Sequence, residues 1–356
     1  GLGFYFHKLG PGTAIIWYFV LIRSIDGYTQ AFGAPGMVKM NAAWFARPER
    51  GGFAGIFGLM INLGRFTLGR LAPFLLVGFT FWGYKIPPGQ WQLVFFVPAA
   101  IVVVVTSFML LLTQPTPEAA GYAGIIPHEA LDGTGEAPLP LGYVLQTILG
   151  NRLVWLTAWA YFCTGVVRSG VDSWFPKYFV EARHLSMDAT TFDFVAYGVP
   201  AAATLGSIIS GYVSDLFFRG RRAPVAACLY LTETLLILIG ARTGSLWGTA
   251  ATLVAVAFTC NATHSILGAA APMDFGGRKM AGFACGVIDS WQYIGAGLAG
   301  IGIGRLIDRF GWGAWLYSMA CFGVLGFILM LIMNHWEQRA PRMAGGALPG
   351  AIEADR

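Results

Sequence analysis

The 356-residue chain is 56% hydrophobic and only 12% charged, with a net charge of +5 and a mean hydropathy of +0.62. A soluble globular chain carries about 25% charged residues, so much of this surface must face lipid, and the class is an all-α polytopic membrane protein. The positive charge is scattered, with no basic run to bind nucleic acid.

A helix crossing the roughly 30 Å hydrocarbon core needs about 20 mostly apolar residues, each rising about 1.5 Å. Nine segments meet that requirement: 12–33, 51–80, 90–113, 153–179, 191–218, 223–241, 247–272, 280–304 and 311–334. The 48 glycines suit helices that approach one another closely in a bilayer. Cys163, Cys228, Cys260, Cys285 and Cys321 each stand in an apolar stretch without metal-ligand spacing. They read as packing residues, and neither metal nor cofactor is expected. Short connections with turn chemistry separate most segments, as at Lys85-Ile86-Pro87-Pro88-Gly89.

One connection is different. Residues 114–150 hold several Pro and Gly, four acidic groups and little apolar periodicity, and read as a cytoplasmic linker between two bundles. The expected organisation is therefore 1–113 with three helices, the linker, a six-helix bundle over 151–334, and a cytoplasmic tail, 335–356. No cleavable signal peptide is visible and the first residue is Gly1, so the sequence is expected to start part-way into a longer protein. Twelve basic residues fall on the side of the 34–50 connection, the linker and the C-terminus, against seven on the other. That bias marks the richer side as cytoplasmic.

Ionisable residues inside membrane segments are costly to insert and usually face a cavity or a partner. Arg23 and Asp26, three apart, most simply neutralise each other, with proton coupling or gating as the alternative. Arg65, near the centre of its segment, is a candidate anion ligand or a partner for an acidic group elsewhere; Arg70, nearer the end, can snorkel to the headgroups. Arg168, within the run from Trp155 to Phe179, is the sharpest candidate. Its planar fork of donors matches two oxygens of a phosphate or carboxylate. The competing role is a structural pair with Asp172, one turn on. Glu233 has no assigned partner, and His264, among Asn261, Thr263 and Ser265, reads as a hydrogen-bonded core residue. Asp289 stands one turn before Tyr293. It is a candidate proton carrier if unpaired, and a gate if paired with Arg65 or Arg168. A weak internal echo sets Gly52-Phe53-Ala54 against Gly282-Phe283-Ala284, with Asn62 opposite Gln292, as in carriers built from duplicated halves.

Several stretches resemble one family. Gly27-Tyr28-Thr29-Gln30-Ala31-Phe32-Gly33-Ala34-Pro35, followed by Glu49-Arg50-Gly51-Gly52, is similar to the fourth-to-fifth helix region of organophosphate:phosphate antiporters, a branch of the major facilitator superfamily. Thr116-Pro117-Glu118-Ala119-Ala120-Gly121 resembles the start of that branch's linker, and Asn151 to Phe179 its seventh helix. Gly211-Tyr212-Val213-Ser214-Asp215 with Phe218-Arg219-Gly220-Arg221-Arg222 resembles the superfamily's loop motif between helices eight and nine. The resemblance implies twelve helices in two six-helix halves, of which nine are present and the first three absent. It also implies that Arg168 binds substrate phosphate, that Tyr293 faces the central cavity, and that Asn62 belongs to an N-x-G turn. The family's histidine before that turn is replaced by Ile61. Gly211, Asp215, Arg219 and Arg222 then read as a gate, whose charged contacts hold the cytoplasmic side shut.

These observations point to a secondary transporter that exchanges an organophosphate for phosphate, with Arg168, Arg65, Asn62 and Tyr293 binding the anion. Alternatives are a proton-coupled carrier of organic carboxylates using Asp289 or Asp26, and a membrane sensor of sugar phosphate with the same fold. No enzyme chemistry competes. The partners expected are a small anion and the lipid bilayer, for a full-length monomer in a bacterial inner membrane.

Overall fold

Long apolar runs fold as helices because every backbone donor and acceptor then finds its partner inside the segment. The computed structural model describes residues 13–46, 49–122, 139–185, 189–218 and 221–343. Within them the helices are α1 (Thr13–Gln30), α2 (Gly33–Trp44), α3 (Arg50–Val77), α4 (Leu93–Leu112), α5 (Leu141–Gly150), α6 (Arg152–Lys177), α7 (Thr190–Phe218), α8 (Arg222–Arg242), α9 (Leu246–Ser265), α10 (Ala271–Leu298), α11 (Gly304–Phe310) and α12 (Gly313–Met343). Single π-helical turns follow α6, α9 and α10, at Tyr178–Ala182, Ile266–Ala270 and Ala299–Ile303. Five described helices are long and apolar enough to cross a membrane by length and composition.

The expected segments lie within or close to these helices, but α2 fills much of the expected 34–50 connection and α5 part of the expected 114–150 linker; two further differences concern the segments themselves. The segment 51–80 ends as a helix at Val77, and Phe79–Phe81 (β1) pairs antiparallel with Tyr84–Ile86 (β2). Trp82 and Gly83 carry φ of 46° and 82° across the turn, the left-handed pair that a two-residue hairpin requires. The all-α expectation thus gains a small hairpin. The second difference is the boundary at 272–280. The helix continues through Asp274, and α10 is broken at Gly277, where φ 54° and ψ −157° are non-helical. Glycine tolerates that backbone without the Cβ clash of other residues.

Two compact units emerge. One comprises Gly1–Gly33 and Leu63–Tyr122; the other Ala34–Asn62 and Ala123–Arg356. In the first, α4 has no buried residue, as suits a side-chain surface whose solvent is lipid. In the second, α7 packs on α9, α6 on α10, and α12 on both α6 and α8. Its core gathers Tyr161, Phe179, Tyr230, Leu253, Ile288, Trp315 and Met319, all nearly inaccessible. The segment Ala34–Asn62, which the sequence places with the N-terminal bundle, belongs to this second unit by its contacts.

Close approach of α6 and α10 depends on a reciprocal glycine pair. A Cβ at Gly165 would strike the carbonyl oxygen of Gln292, and one at Gly295 the carbonyl oxygen of Phe162. Backbone cannot yield as a flexible side-chain end can, so Gly165→Ala is expected to force the helices apart at a cost of about 1–3 kcal/mol. Thermal unfolding in detergent should show a lowered Tm, whereas Gly297→Ala, with nothing within 4 Å of its Cβ position, should leave it unchanged.

Candidate functional site

Two clusters of polar side chains interrupt the apolar second unit. The first surrounds Arg168, on α6 and only 7% exposed. Its Nη1 approaches the His264 ring of α9, at 3.0 Å from Nε2 and 3.4 Å from Nδ1. The Tyr161 hydroxyl, two turns earlier on α6, lies 2.6 Å from His264 Nδ1. Arg168 Nε and Nη2 are buried and have no hydrogen-bond partner. No hydrogen bond joins Arg168 to Asp172 among the described residues.

A buried guanidinium with two unmet nitrogens is a strong demand for acceptor oxygens. Asp289 of α10 is close enough to feel the Arg168 charge, but no ion pair joins them among the described residues. Tyr293 is 66% exposed. Asn62 is buried, and its Nδ2 donates to the carbonyl of Gly58, 2.9 Å away on its own helix. The side chains of Arg65 and Arg70 lie outside the described residues. Glu233 is fully buried with neither carboxylate oxygen hydrogen bonded. Arg23 and Asp26 form an ion pair with each other, and Asp26 Oδ1 also accepts from Gln30 Nε2 at 2.8 Å.

The second cluster lies where α3, α7, α8 and α10 meet. Asp215, at the end of α7, accepts the backbone N–H of Gly52 through Oδ2 at 2.9 Å. The first N–H groups of a helix have no partner within it, and a carboxylate there also meets the positive end of the helix dipole. Through Oδ1, Asp215 accepts from Arg222 Nη1 at 2.6 Å, and Ser214 Oγ accepts from the same nitrogen at 2.8 Å. Arg222 Nε donates to Asp274 Oδ2 at 3.0 Å. Asp274 Oδ1 in turn lies 3.6 Å from Arg50 Nη1, which donates to the Met273 carbonyl at 2.9 Å. Two arginines and two aspartates thus meet here while almost wholly buried. Gly55 lets α3 approach α7 here, since a Cβ there would sit 2.9 Å from the Ile208 Cα. Gly211 is buried on α7; Arg219 lies outside the described residues.

The loop motif therefore brings Asp215 and Arg222 together as its spacing implies. Asp274, which the sequence did not single out, and Arg50, quoted there in the resemblance without a role, are the additions. An acidic residue just beyond an apolar segment, as Asp274 is, was the available signal. His264 and Tyr161 were passed over because a histidine among small polar residues is usually explained by local hydrogen bonds.

A family model described as Major Facilitator Superfamily matches residues 1–300. The glycerol-3-phosphate transporter of Bacillus subtilis (strain 168) is 26% identical over 346 residues, covering 92% of this chain and 73% of that protein. A probable hexose phosphate transport protein of Chlamydia trachomatis is 26% identical over 337 residues, covering 90% and 71%. The membrane sensor protein UhpC of Escherichia coli K12 is 24% identical over 344 residues, covering 92% and 73%. Among solved structures, the fucose:proton symporter of E. coli matches with a TM-score of 0.59 at 15% identity, over 85% of this chain and 73% of that one. That likeness speaks for the fold alone.

Removing one partner from a buried charge cluster leaves the others uncompensated, which typically costs about 3–5 kcal/mol. Asp274→Asn removes one carboxylate that both Arg222 and Arg50 meet. A marked fall in Tm is expected for Asp274→Asn in detergent, and little change for Asp308→Asn, whose side chain is exposed.

Proposed function

The chain belongs to the Major Facilitator Superfamily, a family of membrane transporters rather than enzymes, and from that premise we propose that it carries a small phosphorylated solute in exchange for phosphate. The observation that supports this most is the Arg168 guanidinium, buried in the C-terminal bundle with Nε and Nη2 unmet. A permanently charged planar fork binds phosphate oxygens in pairs. An exchanger uses such a site well, since one phosphate-bearing ligand can replace another without leaving the charge bare in a low-dielectric setting. The transporters of glycerol-3-phosphate and hexose phosphate among the relatives favour the same class of solute. Ile61, standing where the resembled branch has a histidine, leaves the identity of the organic part open.

In this reading the second cluster is a latch. Asp215, Arg222, Asp274 and Arg50 tie α3 to α7, α8 and α10 at the end assigned to the cytoplasm. Their contacts break when that end opens, so that a central site faces first one side and then the other. Opening replaces buried ion pairs by hydrated charges, which keeps the two states near in energy because desolvation offsets much of the Coulomb attraction. The multi-pass chain sits in the inner membrane of a bacterium with its C-terminus cytoplasmic, as the basic residues indicate.

A sensor of phosphorylated sugar on the same fold is the second reading, favoured by the similarity to UhpC. Counterflow separates the two. Proteoliposomes of the full-length protein, loaded with phosphate, are expected to take up labelled phosphate without a pH gradient, and Arg168→Lys is expected to abolish that uptake while remaining folded and inserted. Tight binding without flux would favour the sensor. Strict dependence on a pH gradient would favour proton coupling through Asp289 or Asp26.

A further inference from the structure

Neither polar cluster uses the hairpin between α3 and α4, whose pairing gives it two unlike faces. Phe79 stands opposite Ile86, and Thr80 opposite Lys85. Residues paired across an antiparallel ladder share a face, while neighbours along one strand alternate. Phe79, Tyr84 and Ile86 therefore fall on one face, and Thr80 and Lys85 on the other. The first face is apolar and the second polar. A two-stranded hairpin standing alone in water is marginal, so this apolar face requires a cover.

The end of α3 covers its root. Phe79 stacks on Phe74 of α3, with ring centroids 4.9 Å apart and planes inclined by 25°. The Gly89 N–H donates to the Leu76 carbonyl at 2.8 Å and ties the returning chain to the same turn. Phe79 and Ile86 are accordingly half-buried. Further out, Tyr84 is 80% exposed and Trp82, at the tip, 92%.

We propose that the open apolar face of this hairpin lies in the headgroup layer of the lipid bilayer, at the C-terminal end of α3. The proposal does not depend on which solute the chain carries.

Length sets the level. The 28 residues of α3 extend about 42 Å, enough to cross the hydrocarbon and both headgroup layers, about 40–45 Å in all. The 20 residues of α4 extend about 30 Å, the hydrocarbon core alone. The hairpin, joining the end of one to the start of the other, therefore stands at the boundary. Its apolar face also continues a lipid-facing flank: Phe74 and Val77 of α3 and Phe95 and Phe96 of α4 are all exposed, and Phe79 packs directly on the first of them. The side-chain chemistry agrees. Trp and Tyr combine an apolar ring with a polar handle and collect at the water–hydrocarbon boundary. Lys85, on the opposite face, can keep its ammonium in water or reach a phosphate.

Area favours lipid over a protein partner. Two strands of three residues, each about 10 Å long and about 5 Å apart, offer far less than the roughly 800 Å² a side of a stable protein interface. A fluid headgroup layer asks only that the two faces differ.

The test places nitroxide labels at single cysteines in the full-length protein in liposomes, after Cys228→Ala and Cys321→Ala remove the two exposed native thiols. Power-saturation EPR then reads collisions with oxygen, which concentrates in the bilayer, and with a water-soluble nickel chelate, which does not. A label at Tyr84→Cys is expected to show a severalfold higher oxygen-to-nickel ratio than one at Lys85→Cys, the next residue on the polar face. A label at Trp82→Cys is expected to fall between them, and the exposed positions should leave Tm unchanged. Equal and high nickel access at Tyr84 and Lys85 would put the hairpin in water and overturn the proposal. Low collision with both reagents at Tyr84 would show a protein segment over the face, and would overturn it equally.

Discussion

The constraint on which the site depends is the charge of Arg168 inside an apolar helix bundle. A guanidinium cannot give up its proton, so burial does not neutralise it, and each N–H left without an acceptor weakens the folded state. The protein places the His264 ring against Nη1 and leaves the hydrogen-bond set of Nε and Nη2 incomplete. On the proposed reading, a bound oxyanion completes it. In the proposed site, binding energy is stored as an incomplete hydrogen-bond set on α6, a helix packed against α10.

That packing is itself a matter of very small residues. Gly165 and Gly295 let the α6 and α10 backbones come into contact, and lipid provides no hydrophobic drive to bring two apolar helices together. Close contact, dispersion and polar pairing take over that role. The same logic serves the four-charge cluster, where Gly55 admits α3 to α7 and Asp215 caps the start of α3. The proposed anion site and the proposed latch are therefore built alike: glycine brings helices close, and a buried arginine makes the closeness specific.

Much of this was legible in the sequence, for identifiable reasons. Membrane helices announce themselves because the bilayer demands about 20 apolar residues in a row, and the segments ending near Phe218 and Arg242 were placed almost to the residue. Arg168 stood out because a charge in such a run is rare. Asp215 and Arg222 stood out because Gly211 and Asp215 recur at a set spacing before a basic loop. What could not be read were partners from distant helices. Nothing near Arg168 in the chain signals His264, 96 residues away. Nothing near Arg222 signals Asp274 or Arg50, since those contacts exist only once α3 and α10 have packed. The Phe79–Ile86 hairpin was hidden by apolar strands too short to interrupt a helical reading; Gly78 and Gly83, both with positive φ, were its only local marks.

The most direct test of the account is to observe the Arg168 fork itself. Nitrogen-15 NMR of arginine side chains, with the Arg168 Nε–H resonance assigned by its loss in Arg168→Lys, can be followed while inorganic phosphate is added. The resonance is expected to shift and to saturate with the same midpoint as equilibrium phosphate binding, as an unmet donor gains an acceptor. Saturable phosphate binding that leaves the Arg168 Nε–H resonance unmoved would contradict the account.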